Sequence, residues 1–177
     1  PDCYIDFKNE QAQAMIRAKD AAIEVMKEFS RKFGREYGLF ETYRMEDADS
    51  AIVILNSAAG TTKVAIDEMR KKGKKVGLLR PRVFRPFPWQ EMCDALKGVK
   101  AIAILDRADS MNAFGGPLFN EVRSAMYDLD KRPKIFGRTY GLGGRDYSVK
   151  DATAVCEEVS RVAETGKIET LLKYITL

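Results

Sequence analysis

The feature that most constrains the fold is a regular alternation of short apolar runs and amphipathic helical patterns from residue 51 onward. Each apolar run is followed by a segment in which apolar residues recur every three or four positions. The predicted strands span 51–55, 75–79, 100–105 and 134–138, and the helices after them begin near Thr62, Pro88, Pro117 and Ser148. Continuous apolar strands that alternate with helices are typical of a mostly parallel sheet covered on both faces.

Three further segments flank this alternation. Apolar residues at helical spacing predict a long helix from Asn9 to Phe33, which Gly34 ends as its C-cap. A polar strand at the edge of the sheet is expected at Leu39–Met45, and a short last helix near Ile168–Tyr174.

The length and the turns indicate one domain behind that long helix. A chain of 177 residues suits a single domain, with two small domains as the alternative, and the one candidate boundary is the turn at Gly34–Gly38. We therefore assign residues 1–38 to an N-terminal helical linker segment and residues 39–177 to an α/β domain. Ser148, with Asp151 three residues later, predicts a capping box at the start of the last long helix of that domain.

The composition excludes several kinds of chemistry. The chain has no histidine, which excludes Ser-His and Cys-His catalysis and most zinc sites. Cys93 and Cys156 fall on the apolar faces of predicted helices, and with no CxxC in the chain they are expected to be core residues of a reducing compartment. No apolar run approaches the length of a membrane span and no signal peptide is visible, so we expect a cytoplasmic protein with no membrane partner.

The charges are mixed along the chain. The net charge of +4 comes from 30 basic and 26 acidic residues, whereas nucleic-acid-binding proteins usually concentrate basic residues on one face. The densest basic cluster, residues 70–75, lies at a predicted helix C-terminus, where cations complement the helix dipole. We interpret it as a solvated helix end and expect no nucleic-acid partner.

The segment Ser57–Lys63 lies between the first strand of the alternation and its helix, where many proteins bind phosphate. It matches neither the P-loop pattern nor the dinucleotide fingerprint. The free N–H groups of such a helix start can bind an anion, and a serine or threonine cap satisfies them equally well. We expect a capped helix start, with an independent anion- or nucleotide-binding domain as the alternative.

Two loops follow strands that should end at one edge of the sheet. The first, Leu105–Phe119, contains Asp106, Arg107 and Asp109 before a Gly-Gly-Pro helix start, and the second, Tyr140–Asp146, contains three glycines. Ligands of open α/β sheets bind at that edge. We consider two interpretations of these loops and favour both over a catalytic role. One is an internal Asp–Arg pair with a glycine hinge, and the other is a surface shaped to meet another domain or subunit. We expect this edge to be an assembly surface or a structural pairing site, and its arginines are Arg107, Arg138 and Arg145.

The segment Arg80–Pro88 is extended by its prolines and alternates cations with aromatic rings. Such a strip can stack on nucleic-acid bases or lie in a protein interface. Because exposed phenylalanines usually mark a contact surface, we favour an interface, with a nucleic-acid-binding module as the alternative.

Several long segments together resemble one family. They are KFGREYGLFETYRMEDAD, GTTKVAIDEMRKKGKKVGLLRPRVFRPFP, AILDRADSMNAFGGPLFNEVRSAMY and RTYGLGGRDYS. They are similar to the α subunit of 2-oxoacid:ferredoxin oxidoreductases, most closely of the pyruvate synthase type, and the branched-chain 2-oxoacid enzymes have similar α subunits. The resemblance covers nearly the whole chain in order and at compatible spacing.

The resemblance implies a fold and a position in the subunit. It extends only to the C-terminal part, so we expect a fragment that lacks the larger N-terminal domain, which contacts the pyrimidine end of thiamin diphosphate. The start at Pro1, without a methionine, fits this expectation. The implied fold is a transketolase C-terminal-like domain, a three-layer αβα structure with a mostly parallel five-stranded sheet that has one antiparallel strand, preceded here by the long N-terminal helix.

The resemblance also implies a function for the complete enzyme. That enzyme decarboxylates pyruvate oxidatively to acetyl-CoA, with ferredoxin as electron acceptor and coenzyme A as substrate. Its cofactors are thiamin diphosphate, magnesium and iron–sulfur clusters, and its subunits are α, β, γ and δ. This chain lacks the family's GDG diphosphate motif and any CxxCxxC cluster motif. We expect no catalytic, cofactor-binding or metal-binding residue in it, an assembly role, and no activity of the isolated chain.

Overall fold

The computed structural model describes residues 3–111 and 113–175 and is an α/β structure. Its elements in chain order are α1 (Cys3–Phe33), β1 (Phe40–Tyr43), β2 (Ser50–Ile54), α2 (Ala58–Lys71), β3 (Val76–Pro81), α3 (Trp89–Leu96), β4 (Ala101–Asp106), α4 (Pro117–Ala125), β5 (Lys134–Thr139), α5 (Val149–Thr165) and β6 (Leu172–Tyr174), with one 3₁₀ turn at Leu142–Gly144 between β5 and α5. The alternation predicted from the sequence is confirmed.

The strands form one six-stranded sheet in the order β1-β3-β2-β4-β5-β6. β2 pairs in parallel with β3 and β4, and β5 pairs in parallel with β4 and β6. Ile52 at the middle of β2 lies opposite Leu78 of β3 and Ala103 of β4. The edge strand β1 is the antiparallel one, so the mostly parallel sheet with one antiparallel strand is confirmed. The expected number of five strands is wrong by one, because β6 adds a sixth strand beside β5. Because β2 to β5 are parallel, their carboxyl ends share one edge of the sheet.

Helices cover both faces of this sheet. α2 packs against α5, and α5 contacts β2 and β4, while α3 packs against α4, which contacts β4 and β5. Alternate strand residues point to opposite faces. Phe136 of β5 lies in the core under α2 and α5, whereas the next residue, Gly137, faces Phe119 of α4. Since β2 and β4 are buried along their whole length, their sequences have no polar face, and the three-layer αβα arrangement follows.

The chain divides into two compact units. The first holds α1, the segment after it as far as Glu41, and Pro81–Pro88; the second holds the rest of the described chain. In the first unit Gly34 has φ of 63° and ends α1 as predicted. The ring of Phe29 lies 4.5 Å from that of Phe33 and 4.9 Å from that of Tyr37. No residue of α1 is buried.

The capping box predicted at the start of α5 is confirmed. The Ser148 hydroxyl accepts a hydrogen bond from the Asp151 N–H at 3.2 Å, and the Asp151 carboxylate accepts one from the Ser148 N–H at 2.9 Å. Hydrogen bonds from the side chain and backbone of Ser148 lower the pKa of Asp151. Two N–H groups that the helix cannot satisfy internally are thereby satisfied.

Two helices begin earlier than predicted, and the first is α1, which begins at Cys3 and not at Asn9. α2 begins at Ala58 and not at Thr62, because Asn56 takes a left-handed conformation, with φ of 59°, and reverses the chain directly after β2. α4 ends at Ala125, and just after it the N–H of Tyr127 bonds to the Ser124 carbonyl in a tighter turn. Both differences concern helix ends, where local turn geometry decides.

The short last helix expected near Ile168–Tyr174 is wrong, because this segment forms the sixth strand, β6. The Gly137 N–H donates to the Leu171 carbonyl at 2.9 Å, and the Ile175 N–H donates to the Thr139 carbonyl at 2.8 Å. The segment is too short for its helical periodicity to be decisive. Hydrogen bonding to β5 therefore determines its structure. Within the described residues no helix is long and apolar enough to cross a membrane.

Candidate functional site at the carboxyl edge of the sheet

Asp106 is the last residue of β4 and the buried acid at the carboxyl edge. Its carboxylate oxygens accept hydrogen bonds from the N–H groups of Leu118 at 2.9 Å and Phe119 at 3.0 Å, in the first turn of α4. The N-cap position itself is Gly116, which has no side chain to cap the helix. Burial raises the pKa of Asp106, and the two backbone N–H bonds act in the opposite direction. The acid therefore caps α4 from the neighbouring strand.

The approach of Gly116 to Asp106 leaves no room for a side chain. A Cβ atom placed on Gly116 would lie 2.3 Å from the Asp106 carboxyl carbon and Oδ2. The Gly-Gly-Pro sequence before α4 thus allows the loop to pass directly over the buried acid.

Arg107 joins the loops after β4 and β5. Its Nε donates a hydrogen bond to the Gly141 carbonyl at 3.1 Å. Gly141 has φ of 64°, and a Cβ there would lie 3.0 Å from Arg107 Nε. The two glycine-rich loops therefore meet at one edge, as predicted, and the contact is between an arginine and a backbone carbonyl. Arg145, on the second loop, is exposed.

Arg138 is placed differently, because its side chain is buried inside the second unit. Its guanidinium binds Glu158 of α5 through two hydrogen bonds, of 3.0 and 2.5 Å, and donates to the Thr170 carbonyl at 3.1 Å. It also lies over the Phe136 ring, 4.5 Å from the centroid. Arg138 is a structural pairing site and not part of an exposed surface. The sequence feature that could have indicated this partner is the position of Glu158 beside the apolar stripe of α5.

The start of α2 is not capped by a side chain, so the expected capped helix start is wrong. Ser57 has helical φ and ψ angles of −66° and −28°, which place its hydroxyl away from the N–H groups of the first turn. The Gly60 N–H bonds to the Ser57 carbonyl at 2.9 Å instead. The Thr62 hydroxyl donates to the Ala58 carbonyl, and the Lys63 ammonium lies over the Tyr43 ring at 5.2 Å. The polar residues of Ser57–Lys63 do not converge on one point.

Two tyrosines whose rings contact each other at this edge escaped the sequence analysis. The rings of Tyr140 and Tyr147 lie 4.7 Å apart, and the Tyr147 hydroxyl is 3.4 Å from the Thr62 hydroxyl. Burial raises the pKa of both phenols. The signal that was available is the pair of tyrosines bracketing the glycine-rich turn, which brings them together.

The basic cluster at residues 70–75 is only partly solvated. Arg70 uses its whole guanidinium, donating to the Val76 and Arg44 carbonyls and to the Asp47 carboxylate. Lys74 pairs with Glu164 at 2.6 Å. The cluster thus holds the turn before β2 against α2, and the prediction of a solvated helix end is wrong for Arg70.

In the segment Arg80–Pro88, the arginines of the part that belongs to the first unit lie over aromatic rings of that unit. Arg82 lies over the Tyr37 ring at 4.6 Å and is 3.4 Å from the Glu41 carboxylate. Arg85 lies over the Phe84 ring at 4.4 Å, and Phe84 meets Phe87 edge-on at 6.0 Å. Arg82 and Arg85 therefore contact aromatic rings of the same chain.

The two inner cysteines are core residues, as predicted. The Cys93 thiol donates to the Ala125 carbonyl at 3.0 Å, between α3 and α4, whereas Cys156 lies under α5 on the other face of the sheet. Burial raises the pKa of Cys93, and that of Cys156 to about 12. Thiols on opposite faces of a sheet cannot bind one iron–sulfur cluster together.

Comparison with known protein families identifies the family of this chain. Residues 48–152, which contain β2 to β5 and both carboxyl-edge loops, match the family described as pyruvate:ferredoxin oxidoreductase core domain II. The chain belongs to this family. The resemblance to α subunits of 2-oxoacid:ferredoxin oxidoreductases found in the sequence is therefore confirmed.

Named relatives of this core domain II chain are subunits of two such oxidoreductases. It is 44% identical over 145 residues to the pyruvate synthase subunit PorA of Thermotoga maritima, covering 82% of this chain and 37% of the relative. It is 41% identical over 180 residues to the ketoisovalerate oxidoreductase subunit VorA of Pyrococcus horikoshii, covering 100% of this chain and 45% of the relative. The chain spans less than half the length of these relatives.

Solved structures support the fold of core domain II. An inactive β4 tetramer of a split-gene transketolase matches with a TM-score of 0.56 at 11% identity, over 73% of this chain and 45% of that one. The 2-oxoglutarate:ferredoxin oxidoreductase of Magnetococcus marinus matches with a TM-score of 0.52 at 16% identity, over 70% of this chain and 20% of that one. The transketolase-like fold expected from the sequence is confirmed.

Substitution of Gly116 tests the contact with Asp106. We expect Gly116→Ala to lower the free energy of unfolding by about 2 kcal/mol, because the added methyl group overlaps a buried carboxylate. Gly60→Ala is the matched control, since a Cβ there meets nothing within 4 Å and Gly60 lies in α2. We expect the control to be stabilised by about 0.5 kcal/mol or more. Urea unfolding of both variants measures the difference, and equal effects would contradict the overlap.

Calorimetry tests the anion-site alternative at Ser57–Lys63. We expect no heat of binding when ATP, NAD or thiamin diphosphate is titrated into the chain at sub-millimolar concentration, because the polar side chains of this segment point to different partners. A saturable isotherm that Thr61→Ala or Lys63→Ala abolishes would establish an anion site at the start of α2.

Proposed function

We propose that this chain is the C-terminal part of the α subunit of a 2-oxoacid:ferredoxin oxidoreductase of the pyruvate synthase type. Its identity to PorA of T. maritima supports the proposal, as does the family match across the core of the second unit. We further propose that residues 1–38 are a helical linker segment and residues 39–177 the transketolase C-terminal-like domain. The complete protein would be cytoplasmic.

The role we propose for the domain is assembly and not chemistry. The observation that carries this proposal is the use of the buried charges near the edge where open α/β sheets usually bind ligands. Asp106 caps α4, and Arg138 pairs with Glu158 inside the domain. Both groups are committed to holding the fold. Arg107 and Arg145 are exposed at this edge, beside the exposed acids Asp109 and Asp146, and exposed arginines suit contact with another protein.

The cofactors of the complete enzyme would be bound outside this chain. Thiamin diphosphate, bound with magnesium, supplies the carbanion chemistry of decarboxylation in such enzymes, and iron–sulfur clusters pass the electrons on. The residues of this chain do not fit these groups, because Asp106 is engaged by α4 and the inner cysteines lie on opposite faces of the sheet. No step of the reaction is assigned to a residue of this chain.

The partners we propose are the β, γ and δ subunits and the N-terminal domain of the same α subunit. In the complete complex pyruvate would be converted to acetyl-CoA, with coenzyme A as substrate and ferredoxin as electron acceptor. The alternative is a branched-chain 2-oxoacid enzyme, which the identity to VorA of P. horikoshii favours. Comparing kcat/KM of the complete complex for pyruvate and for ketoisovalerate distinguishes the two.

The isolated chain is expected to be inactive. Purified protein with pyruvate, coenzyme A, thiamin diphosphate, magnesium and a viologen acceptor should show no turnover and contain no stoichiometric iron. The reason is that its sequence has neither the GDG diphosphate motif nor a CxxCxxC cluster motif. The complete complex in the same assay is the positive control. Turnover or iron that follows the pure chain through chromatography would overturn the assembly role.

Arginine substitutions in the complete complex separate assembly from chemistry. We expect Arg107→Ala and Arg145→Ala to weaken subunit association by ~2 kcal/mol at a desolvated contact, because arginine anchors interfaces by pairing with carboxylates. Arg132→Ala is the control, since Arg132 is also exposed but precedes β5 at the opposite edge of the sheet. Association is measured by sedimentation and chemistry by single-turnover decarboxylation. Normal association with a collapsed decarboxylation rate would show that this edge belongs to an active site.

A further inference from the structure

Two large apolar side chains project from the loop between β4 and α4. Met111 is 92% exposed and Phe114 is 60% exposed. The ring of Phe114 lies 6.4 Å from that of Phe119 in α4, and the Arg123 guanidinium lies 5.5 Å from its centroid. Phe114 is therefore held in place while more than half of it faces solvent. Exposed aromatic, methionine and arginine side chains are typical of protein interfaces.

The loop that carries these side chains is held from below by β6. Leu172 fills a notch formed by two glycines, because a Cβ on Gly137 would lie 2.8 Å from its Cδ2 and one on Gly115 would lie 3.2 Å from it. The Tyr174 hydroxyl donates to the Asp109 carboxylate. These contacts fix both ends of the loop, and a loop that is already ordered loses less conformational entropy on binding.

The charge around the apolar side chains is mainly positive. Asp106 is buried under the loop, and Asp109 is exposed and accepts a hydrogen bond from Tyr174. Two arginines, Arg107 and Arg123, are exposed around the loop. Because its Nε is bonded to the Gly141 carbonyl, the Arg107 guanidinium is held in one orientation. An apolar pocket with carboxylates at its rim is the surface that complements this arrangement.

We propose that Arg107, Met111, Phe114 and Arg123 form a docking face, and that it binds an apolar, acid-rimmed pocket on another subunit of the same oxidoreductase. This proposal rests on the proposed assembly function. It goes further in naming Phe114 as the anchor residue and in stating the chemistry of the partner surface. β6 is its positioning element, since Leu172 and Tyr174 set the loop from which it projects.

The first experiment substitutes Phe114 in the complete complex. Phe114→Ala should raise the dissociation constant of this subunit roughly thirtyfold, as loss of an aromatic anchor does at an interface centre. Tyr127→Ala is the matched control, because Tyr127 is 69% exposed, lies 5.5 Å from the Arg132 guanidinium and follows the opposite end of α4. The control should bind like the wild type. Equal dissociation constants for the two variants would overturn the docking face.

The second experiment tests the positioning role of β6 in the 177-residue chain and in the complex. Leu172→Ala, and Tyr174→Phe as the milder change, should speed amide hydrogen exchange in residues 107–111 and 113–116 and weaken association. Lys173→Ala, on the same strand, should change neither. Faster exchange without weaker association would show that β6 orders the loop but that the loop is not the docking face.

Two outcomes separate this inference from the function on which it rests. If the wild-type subunit fails to associate with the other subunits, the assembly function is wrong and the docking face falls with it. If it associates and Phe114→Ala associates equally well, the docking face alone is wrong. Binding of the wild-type chain, but not of Phe114→Ala, to anionic lipid vesicles or to RNA would overturn a protein as the partner.

Discussion

The hydrogen bonds from the first turn of α4 to the Asp106 carboxylate determine the arrangement of the carboxyl edge. A carboxylate removed from water is costly unless its oxygens are satisfied, and here two backbone N–H groups at the positive end of a helix satisfy them. The same bonds fix where α4 begins, so they also fix where the preceding loop must end. Gly116 is required because the chain passes against the acid itself.

The strands were predictable because their burial is recorded directly in their composition. β2 and β4 are buried on both faces, so every position in them is apolar or small except Asp106 at the end of β4, and this pattern predicts a central strand. The capping box at Ser148 was equally predictable, because it depends on two residues three positions apart. In both cases the decisive physics lies within one short segment.

What could not be predicted depends on contacts between distant segments. β6 is a strand because β5 offers it hydrogen bonds and a glycine notch, and neither is visible in residues 168–174 alone. Arg138 looks like a surface cation until Glu158, twenty residues later, is seen to meet it across the sheet face. Ser57 has the right chemistry for a cap but the wrong backbone angles, and those are set by the turn at Asn56. For the candidate site, the sequence placed the two loops together but not the direction in which each charge points.

The lengths of the outermost strands have a consequence for how the protein behaves at high concentration. β1 has 4 residues and β6 has 3, whereas the strands between them have 5 or 6. An unpaired strand edge is a template on which another chain can add its own strand, and the hazard grows with the length of the edge. Short edges, with Lys173 in the middle of β6, offer few backbone groups to an incoming chain. The short edges in this way protect the chain from pairing its sheet with that of a second copy of itself.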